Sequence, residues 1–277
     1  MLKAAFFDLD GTLLDDCKQI PPSAREAILR CRAQGVRTYI VTARSPRLNI
    51  TLGWTDADFA LFDGGLHSNG AIIRLGEELQ YCFIHPEAVR RALRRVEACE
   101  GAEMSLHMAG DDHAFTFAMD ESRLALWQLK PENVFPIDEN TISRTLKGLI
   151  CYGDLKEERP PLPARLGEAI AADCEGLARV LVTDGGRTIQ LAPLEAGKLQ
   201  AVERIRLSLG AAEEEIAVFG DDINDLEMIA HYQNSVAMGN GVEAVRAAAG
   251  FVTSANTEDG IARGLLWAME QTQKEVN

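Results

Sequence analysis

The sequence predicts an α/β protein in which a mostly parallel sheet is interrupted by an inserted α+β segment. Short apolar runs at residues 4–7, 36–41 and 216–219 do not alternate with polar residues, which is typical of strands buried on both faces. Each run ends in polar residues, and stretches with helical spacing separate the runs along the chain. Residues 84–190 differ, because short alternating segments about glycine turns indicate an antiparallel sheet there.

Composition narrows the classes of protein and ligand that fit this chain. With 277 residues, 47% of them hydrophobic, the chain can form one large domain or two modest domains with a sizeable core. A net charge of -14 argues against nucleic acid or an anionic membrane as a partner, since both require a basic surface. The cysteines form no CxxC pair, and no apolar run approaches the ~20 residues of a membrane span. We therefore expect reduced thiols, a cytoplasmic location and a small ligand, while the oligomeric state stays open.

The first apolar run ends in two carboxylates, Asp8 and Asp10, which are followed by Gly11. Gly11 permits a sharp turn out of the sheet, and ligands of open α/β sheets bind beyond the carboxyl ends of the strands. Two unpaired carboxylates ~4 Å apart repel by about 4 kcal/mol at an effective dielectric constant of 20, so a bound cation would explain their proximity. The alternative is an acidic turn without a functional role.

The second run follows a predicted helix at residues 24–35 and ends at Thr42, so it also brings a polar side chain to a strand end. Arg44, two residues later, is interpreted as a salt-bridged surface residue rather than a substrate contact. Residues 58–62 are predicted to form a third strand that precedes a glycine turn. Asn69 is predicted to be a turn residue with positive φ.

Residues 84–190 contain a predicted basic helix and two sets of hairpin segments, but no carboxylate pair or phosphate-binding loop of their own. The arginines of that helix are interpreted as a solvated outer face, because the protein as a whole is acidic. We therefore divide the chain into residues 1–83, 84–190 and 191–277. The first and third parts share the pattern of buried strands that end in polar residues, which the second part lacks.

After the insertion, Lys198 lies in the first turn of a predicted helix that ends at Gly210. The apolar run at residues 216–219 is then followed by a cluster of polar residues, namely Asp221, Asp222, Asn224 and Asp225. Three carboxylates so close together at a strand end again indicate a bound cation. Mg²⁺ suits them, because this hard ion prefers oxygen ligands such as carboxylates.

Four segments resemble, in order, the motifs of the haloacid dehalogenase-like (HAD) hydrolases: DLDGTLL from Asp8, TAR from Thr42, Lys198, and GDDIND from Gly220. The insertion between the second and third segments is similar to the cap of the Cof-type (IIB) branch. The resemblance implies a Rossmann-like parallel-sheet HAD core with an inserted α+β (type C2) cap domain. Ala43 and Leu199 depart from the family pattern at positions where glycine is usual.

The resemblance also implies a role for each candidate residue. Asp8 would be the nucleophile, and Asp10 would be the general acid and base. The magnesium ligands would be Asp8, Asp221 and the carbonyl of Asp10. The phosphate group would be bound by Leu9, Thr42, Ala43, Lys198 and Asn224. Asp225 would orient Lys198 or a water molecule, and Asp222 is interpreted as either a supporting residue beside it or an exposed one.

Together these features predict a magnesium-dependent phosphatase that hydrolyses a small phosphorylated metabolite through an aspartyl phosphate. An alcohol could replace water as the acceptor, in which case the protein would be a phosphomutase or phosphotransferase. A non-catalytic protein that binds a phosphorylated ligand is the third hypothesis. Asp10 argues against that hypothesis, because a binding protein has no use for an acid/base residue.

Overall fold

The computed structural model describes residues 1–76, 78–153 and 160–274, and the chain divides into two units. One unit combines residues 1–80 with the chain from Gly197 onward, and the other comprises Tyr81–Ala196. The sequence placed the second unit at residues 84–190. The strand at Thr188–Pro193 pairs with its neighbour as far as Pro193, so the predicted boundary at 190 falls within that strand.

The predicted α/β fold class is confirmed by the elements along the described residues. The strands are β1 (Ala4–Phe7), β2 (Arg37–Val41), β3 (Gly64–His67), β4 (Ile72–Leu75), β5 (Glu78–Tyr81), β6 (Ala102–His107), β7 (His113–Phe115), β8 (Val134–Phe135), β9 (Lys147–Tyr152), β10 (Ala178–Thr183), β11 (Thr188–Pro193), β12 (Ile216–Gly220), β13 (Asn234–Ala237) and β14 (Phe251–Val252). The helices are α1 (Pro22–Ala33), α2 (Leu48–Thr51), α3 (Asp56–Phe59), α4 (Pro86–Glu97), α5 (Glu121–Trp127), α6 (Glu139–Ser143), α7 (Ala164–Asp173), α8 (Lys198–Ser208), α9 (Leu226–His231), α10 (Glu243–Ala248) and α11 (Gly260–Lys274). In the part of the chain described here, no helix combines the length and the apolar character needed to cross a membrane.

The first unit is built on one sheet with the strand order β14-β13-β12-β1-β2-β3-β4-β5. Neighbouring strands from β14 to β3 run parallel, whereas β4 is antiparallel to β3. β1 lies between β2 and β12, with Phe7 level with both Ile40 and Phe219. The carboxyl ends of these three strands therefore meet at one edge of the sheet, where ligands of this architecture bind.

Apolar side chains cover both faces of this sheet. Phe7 lies in a cluster with Ile28 of α1 and Leu265 of α11. Phe6 points to the other face, where it joins a cluster with Val202 of α8. All four residues of β1 are fully buried, which explains why the run does not alternate with polar residues.

The second unit contains a sheet with the strand order β10-β11-β9-β6-β7-β8. The predicted hairpins are confirmed, because β6 pairs with β7 and β10 pairs with β11 in antiparallel orientation. Helices α4 and α7 contribute Val89 and Ile170 to a core beneath this sheet. On the outer face of α4, Arg90 and Arg95 form ion pairs with acidic residues, which agrees with the interpretation of a solvated face.

The predicted third strand at residues 58–62 is wrong. Asp56–Phe59 is helical, and the strand that pairs with β2 is Gly64–His67. The carboxylate of Asp58 accepts hydrogen bonds from the N–H and the hydroxyl group of Thr55, at 2.8 and 2.7 Å. This capping interaction favours a helical turn, and it outweighs the short apolar pattern that suggested a strand.

Candidate active site

Three side chains that the sequence placed at strand ends come from adjacent strands of the first sheet. Asp8 follows β1, Thr42 follows β2 and Asp221 follows β12. Because β1 lies between the other two strands, these residues are neighbours in space although they are far apart in the chain. Asp8, Asp221 and Asp225 each offer a carboxylate oxygen, and these oxygens lie within 4.8 Å of one another.

Lys198, the first residue of α8, places its ammonium group between two of these carboxylates. Its Nζ donates hydrogen bonds to Oδ1 of Asp8 and to Oδ1 of Asp225, both at 2.6 Å. The lysine side chain is only 1% exposed. Burial lowers the pKa of Lys198, but the charges of Asp8 and Asp225 outweigh burial and hold the pKa above its usual value. The lysine therefore stays charged although it is buried, because two carboxylates compensate for its lost hydration.

Both oxygens of Asp225 are used within the fold. Oδ2 accepts hydrogen bonds from the N–H groups of Asp221 and Asp222, at 3.1 and 3.2 Å, while Oδ1 accepts from Lys198. Gly220 makes room for this carboxylate, since a Cβ atom at Gly220 would lie 2.5 Å from atoms of the Asp225 side chain. Asp225 therefore fixes both the turn after β12 and the position of the lysine.

Asp221 lies against the turn that follows Asp8. The hydroxyl group of Thr12 donates to Oδ1 of Asp221 at 2.6 Å. A Cβ atom at Gly11 would lie 2.3 Å from Oδ2 of Asp221, and Gly11 has a φ of 80°, which side chains rarely tolerate. Burial raises the pKa of Asp221 to about 6, although the hydrogen bond from Thr12 opposes this change. Glycine at this position thus allows the two strand ends to approach each other closely.

The three neighbouring carboxylates share a single ammonium group. Burial raises the pKa of Asp8 against the opposing charge of Lys198, and the charges of Asp225 and Asp221 raise it further. Two ionised carboxylates whose oxygens lie within 4.8 Å of each other repel by at least about 3 kcal/mol at an effective dielectric constant of 20. A divalent cation would balance this charge, and a set of oxygen ligands matches the preference of Mg²⁺. The residues present therefore fit a magnesium ion.

Unpaired donors lie at the ends of β1 and β2. Within the described ranges, the backbone N–H groups of Leu9 and Ala43 make no hydrogen bond. The register of β1 and β2, continued by two residues, puts Leu9 level with Thr42. The hydroxyl oxygen of Thr42 accepts from the N–H of Arg44 at 3.1 Å, which leaves the hydroxyl proton to donate. Converging N–H and O–H donors of this kind can bind the oxygens of a phosphate group.

The carboxylate of Asp10 has partners of its own. Arg44 donates from Nε to Oδ2 at 2.5 Å and from a terminal nitrogen to Oδ1 at 2.7 Å, and Lys18 donates to Oδ1 at 2.7 Å. Burial raises the pKa of Asp10, but the hydrogen bonds from Arg44 and Lys18 outweigh burial and hold the pKa below its usual value. Arg44 is thus salt-bridged as the sequence suggested, but it is half-buried and not a surface residue, and its partner is the proposed acid/base residue.

Asn224 and Asp222 belong to the short turn between β12 and α9. Nδ2 of Asn224 lies 3.5 Å from Oδ1 of Asn69, which itself has a φ of 53°, as predicted for a turn residue. Asp222 is exposed, and its carboxylate accepts a hydrogen bond from the N–H of Ile223 at 2.8 Å. The side chain of Asp222 therefore caps this turn, and its oxygens are not among those that surround Lys198.

The sequence reasoning missed the residues that hold the loop after Asp8. Nδ2 of Asn240 donates to the carbonyl of Gly11 at 2.8 Å, and Nδ2 of Asn256 donates to the carbonyl of Leu14 at 2.7 Å. Both asparagines follow a parallel strand, β13 and β14 respectively. The rule that drew attention to Thr42, a polar residue soon after a buried strand, could have found Asn240 as well.

Comparisons with known proteins agree with this arrangement. The sequence matches the haloacid dehalogenase-like hydrolase family over residues 5–265. It is 30% identical to YkrA of Bacillus subtilis over 266 residues, which cover 94% of this chain and 95% of that protein. It is 27% identical to the 5-amino-6-(5-phospho-D-ribitylamino)uracil phosphatase YitU of the same organism, over 93% of this chain and 94% of YitU. A solved HAD subclass IIB sugar phosphatase is similar in fold, with a TM-score of 0.74, 24% identity and coverage of 96% of this chain and 98% of that one.

The chain belongs to the haloacid dehalogenase-like hydrolase family. Within this family it resembles the Cof-type (IIB) branch, as the sequence motifs and the inserted α+β unit predicted. Several of its relatives, YkrA and YitU among them, carry the names of phosphatases, so its enzyme class is phosphoric monoester hydrolase. The third hypothesis, a non-catalytic binding protein, is not supported.

The buried ion-pair network leads to a prediction about stability. The substitution Lys198→Met leaves Asp8 and Asp225 buried without their ammonium partner, and breaking a buried pair in this way typically costs about 3–5 kcal/mol. We expect a clear fall in the thermal midpoint, measured by circular dichroism in the presence of a chelator. Adding Asp225→Asn removes one of the two uncompensated charges and should restore part of the loss.

Lys18→Met is the matched control, because it removes an exposed lysine that is also paired with an aspartate. Exposed pairs contribute at most about 1 kcal/mol, so this variant should unfold close to the wild type. Equal falls in the midpoint of Lys198→Met and Lys18→Met would show that the network does not have the role assigned to it. The same conclusion would follow if Lys198→Met/Asp225→Asn lost as much stability as Lys198→Met and Asp225→Asn lose separately when their losses are added.

Proposed function

We propose that this enzyme is a magnesium-dependent phosphatase that hydrolyses a small phosphorylated metabolite through an aspartyl phosphate on Asp8. The observation that supports this proposal most is the buried pair of Asp8 and Lys198, with 2.6 Å between Oδ1 and Nζ. The ammonium group occupies Oδ1, and no hydrogen bond to Oδ2 is found in the described part of the chain. Asp8 therefore has one fixed oxygen and one oxygen that is free to act as a nucleophile.

In the first half-reaction, Oδ2 of Asp8 would attack phosphorus while the bond from phosphorus to the leaving oxygen breaks. Lys198 would stabilise the ionised form of Asp8 and offset the negative charge of the phosphoryl oxygens. The remaining donors to these oxygens would be the N–H groups of Leu9 and Ala43, the hydroxyl group of Thr42 and the amide of Asn224.

Asp10 would transfer protons in both half-reactions. As an acid it would protonate the leaving oxygen, and as a base it would take a proton from the water that attacks the phosphoryl group, releasing inorganic phosphate and free Asp8. Its ion pairs with Arg44 and Lys18 stabilise the ionised form. We infer that Asp10 must leave these two partners before it can act as an acid.

The magnesium ion would be held by Asp8, Asp221 and the backbone carbonyl of Asp10. When bound, such an ion supplies positive charge that offsets the charge of the phosphoryl group. Thr12 would keep Asp221 in place through its 2.6 Å hydrogen bond. Asp225 would not serve as a ligand, because its two oxygens already accept hydrogen bonds from Lys198 and from backbone N–H groups.

The names of the relatives and the acidic composition support a proposal for the substrate class. YitU is named for a phosphorylated ribityl compound, and the solved subclass IIB relative is named a sugar phosphatase. We propose a phosphorylated sugar or a similar phosphomonoester, with the inserted unit, predicted at residues 84–190, as a cap that determines substrate specificity. The cytoplasmic location and the absence of a nucleic-acid partner stay predictions.

Trapping the covalent intermediate tests the proposed function directly. In the Asp10→Asn variant, water is no longer activated, and loss of a general base typically slows a step by about 10²–10⁴-fold. With an activated substrate such as p-nitrophenyl phosphate, the leaving group needs little protonation, so the first half-reaction should largely survive. When this variant reacts with a labelled phosphoryl donor and is then quenched, we expect labelled, hydroxylamine-sensitive phosphoenzyme to have accumulated.

The double variant Asp8→Asn/Asp10→Asn is the control, and it should carry no label, because an amide is a poor nucleophile. Equal labelling of the two variants would show that Asp8 is not the nucleophile. Rapid turnover of Asp10→Asn without label would assign the activation of water to another residue. If wild-type enzyme transfers label to an added alcohol in preference to water, the protein is a phosphotransferase instead.

Magnesium binding gives a second test, which needs no substrate. A ligand stabilises the folded protein more when it binds more tightly. Mg²⁺ should therefore raise the thermal midpoint of the wild type, and it should raise the midpoint of Asp221→Ala much less. Asp222→Asn is the matched control, since the neighbouring carboxylate caps the turn and asparagine retains that capping interaction. A shift in Asp221→Ala equal to that of the wild type would remove Asp221 from the metal site.

A further inference from the structure

The sheet of the second unit has one face in the core and another that carries polar side chains. Leu106 of β6 and Ile150 of β9 belong to the core cluster of this unit. Because successive residues of a strand point to opposite faces, His107, Lys147 and Leu149 lie on the other face. All three residues are partly exposed, so a ligand can reach this face, which we call the open face.

Basic residues form a row at one end of the open face. His107 lies opposite Lys147 on one side and opposite His113 on the other. Arg179 of β10 pairs with Ala192, and the register of β11 and β9, continued by one residue, puts Ala192 level with Lys147. This row across five strands therefore contains four basic residues and no acidic one, although the protein as a whole carries a net charge of -14.

Lys147 differs from the other lysines whose side chains the structure describes. Each of the others lies within ion-pair distance of a carboxylate, namely Lys3, Lys18, Lys130 and Lys198. Nζ of Lys147 has neither an ion pair nor a hydrogen bond within the described ranges. Burial lowers the pKa of Lys147, whereas the carboxylates beside Lys198 hold the pKa of that lysine above its usual value. A partly buried ammonium group without a counter-ion is unfavourable, so a bound anion would stabilise it.

The neighbouring histidines do not compensate for this charge. Nδ1 of His107 lies 3.2 Å from Nε2 of His113, and Nε2 of His107 lies 3.0 Å from the hydroxyl oxygen of Ser105. Burial holds the pKa of His107 well below its usual value, and the charges of His113 and Lys147 lower it further. The ring of His107 is therefore uncharged at neutral pH, and both of its nitrogens already have partners.

Glu103 is the one acidic residue within the six described strands of this sheet. It precedes His107 by four residues along β6, which corresponds to about 13 Å at the usual rise of a strand. Its Oε1 lies 3.4 Å from a terminal nitrogen of Arg123. Glu103 is thus distant from the row of basic residues and has a partner of its own, which leaves a ligand as the source of an anion for Lys147.

We propose that Lys147 binds a second anionic group of the substrate, so that the preferred substrate is a phosphomonoester that also carries a carboxylate or a further phosphate. This proposal rests on the proposed function, in which the inserted unit determines substrate specificity. The ammonium group would donate a charge-assisted hydrogen bond to the second anionic group. A hydroxyl group in the same place would leave the ammonium group without a counter-ion, so the site would favour the anionic compound over its neutral analogue.

Matched pairs of phosphomonoesters test this preference. 3-Phosphoglycerate and 6-phosphogluconate carry a carboxylate where glycerol 3-phosphate and glucitol 6-phosphate carry a hydroxymethyl group. Fructose 1,6-bisphosphate carries a second phosphate that fructose 6-phosphate lacks, so this pair distinguishes a second phosphate from a carboxylate. Affinities are measured by isothermal titration calorimetry in the presence of Mg²⁺ with Asp8→Asn, whose amide is a poor nucleophile and should leave the ligands intact. In at least one pair, the anionic member should bind about tenfold more tightly than its partner.

Variants of the same protein assign this preference to Lys147. Adding Lys147→Met should reduce the ratio of the two affinities to about one, whereas Lys147→Arg keeps the charge and should retain most of the ratio. Lys130→Met is the matched control, because Lys130 is an exposed lysine of the same unit that lies outside the sheet, and it should leave the ratio unchanged. The thermal midpoint of Lys147→Met should be no lower than that of its parent, since the change removes a charge without a partner.

Equal affinities within every pair, or no measurable binding of any member, would overturn the proposal even if Lys147→Met did not fold. A preference that persists in a folded Lys147→Met protein would overturn it as well. These outcomes concern the second anionic group alone, and the phosphatase mechanism is judged separately by the labelled phosphoenzyme. A protein that forms no phosphoenzyme but still distinguishes the members of a pair through Lys147 would contradict the mechanism and support the anion site.

Discussion

The rest of the site depends on the two hydrogen bonds that the ammonium group of Lys198 donates to buried carboxylates. This lysine joins Asp8 to Asp225, which are 190 and 27 residues away from it in the chain. Each carboxylate alone would be costly to bury, and the lysine alone would be equally costly. The three groups are therefore stable only together, and only if β1, α8 and β12 are correctly packed. The same constraint prevents the lysine from changing position without loss of the fold around it.

Much of this arrangement could be predicted from the sequence, because one physical rule covers it. A strand buried on both faces is mostly apolar, so a run such as residues 4–7 is recognisable, and the polar residue that follows it lies at the edge of the sheet. That rule found Asp8, Thr42 and Asp221. The order of the strands in the sheet was not needed for this prediction, since the carboxyl ends of all parallel strands in a sheet lie at one edge.

The features that the sequence did not predict depend on side chains that meet only in the folded chain. Nothing in the spacing of Lys18 indicates that it pairs with Asp10 at 2.7 Å, because the loop between them adopts its shape through contacts with distant residues. The strand predicted at residues 58–62 was wrong because a local capping interaction favoured a helix. The boundary predicted at 190 cut β11, since the strand continues through Ala192 and Pro193 without a change in pattern.

The position of β1 has a consequence for how the protein is made. The strand at the centre of the sheet is synthesised first, and β12, its neighbour on one side, is synthesised about two hundred residues later. At ribosomal rates of about 5–20 residues per second, β1 waits roughly 10–40 s for this partner. During that time an apolar strand has one open edge, which is a template for pairing with other chains. Nascent chains of this enzyme thus depend on β2, which is available within seconds, to cover β1 on its other side until translation of the core is complete.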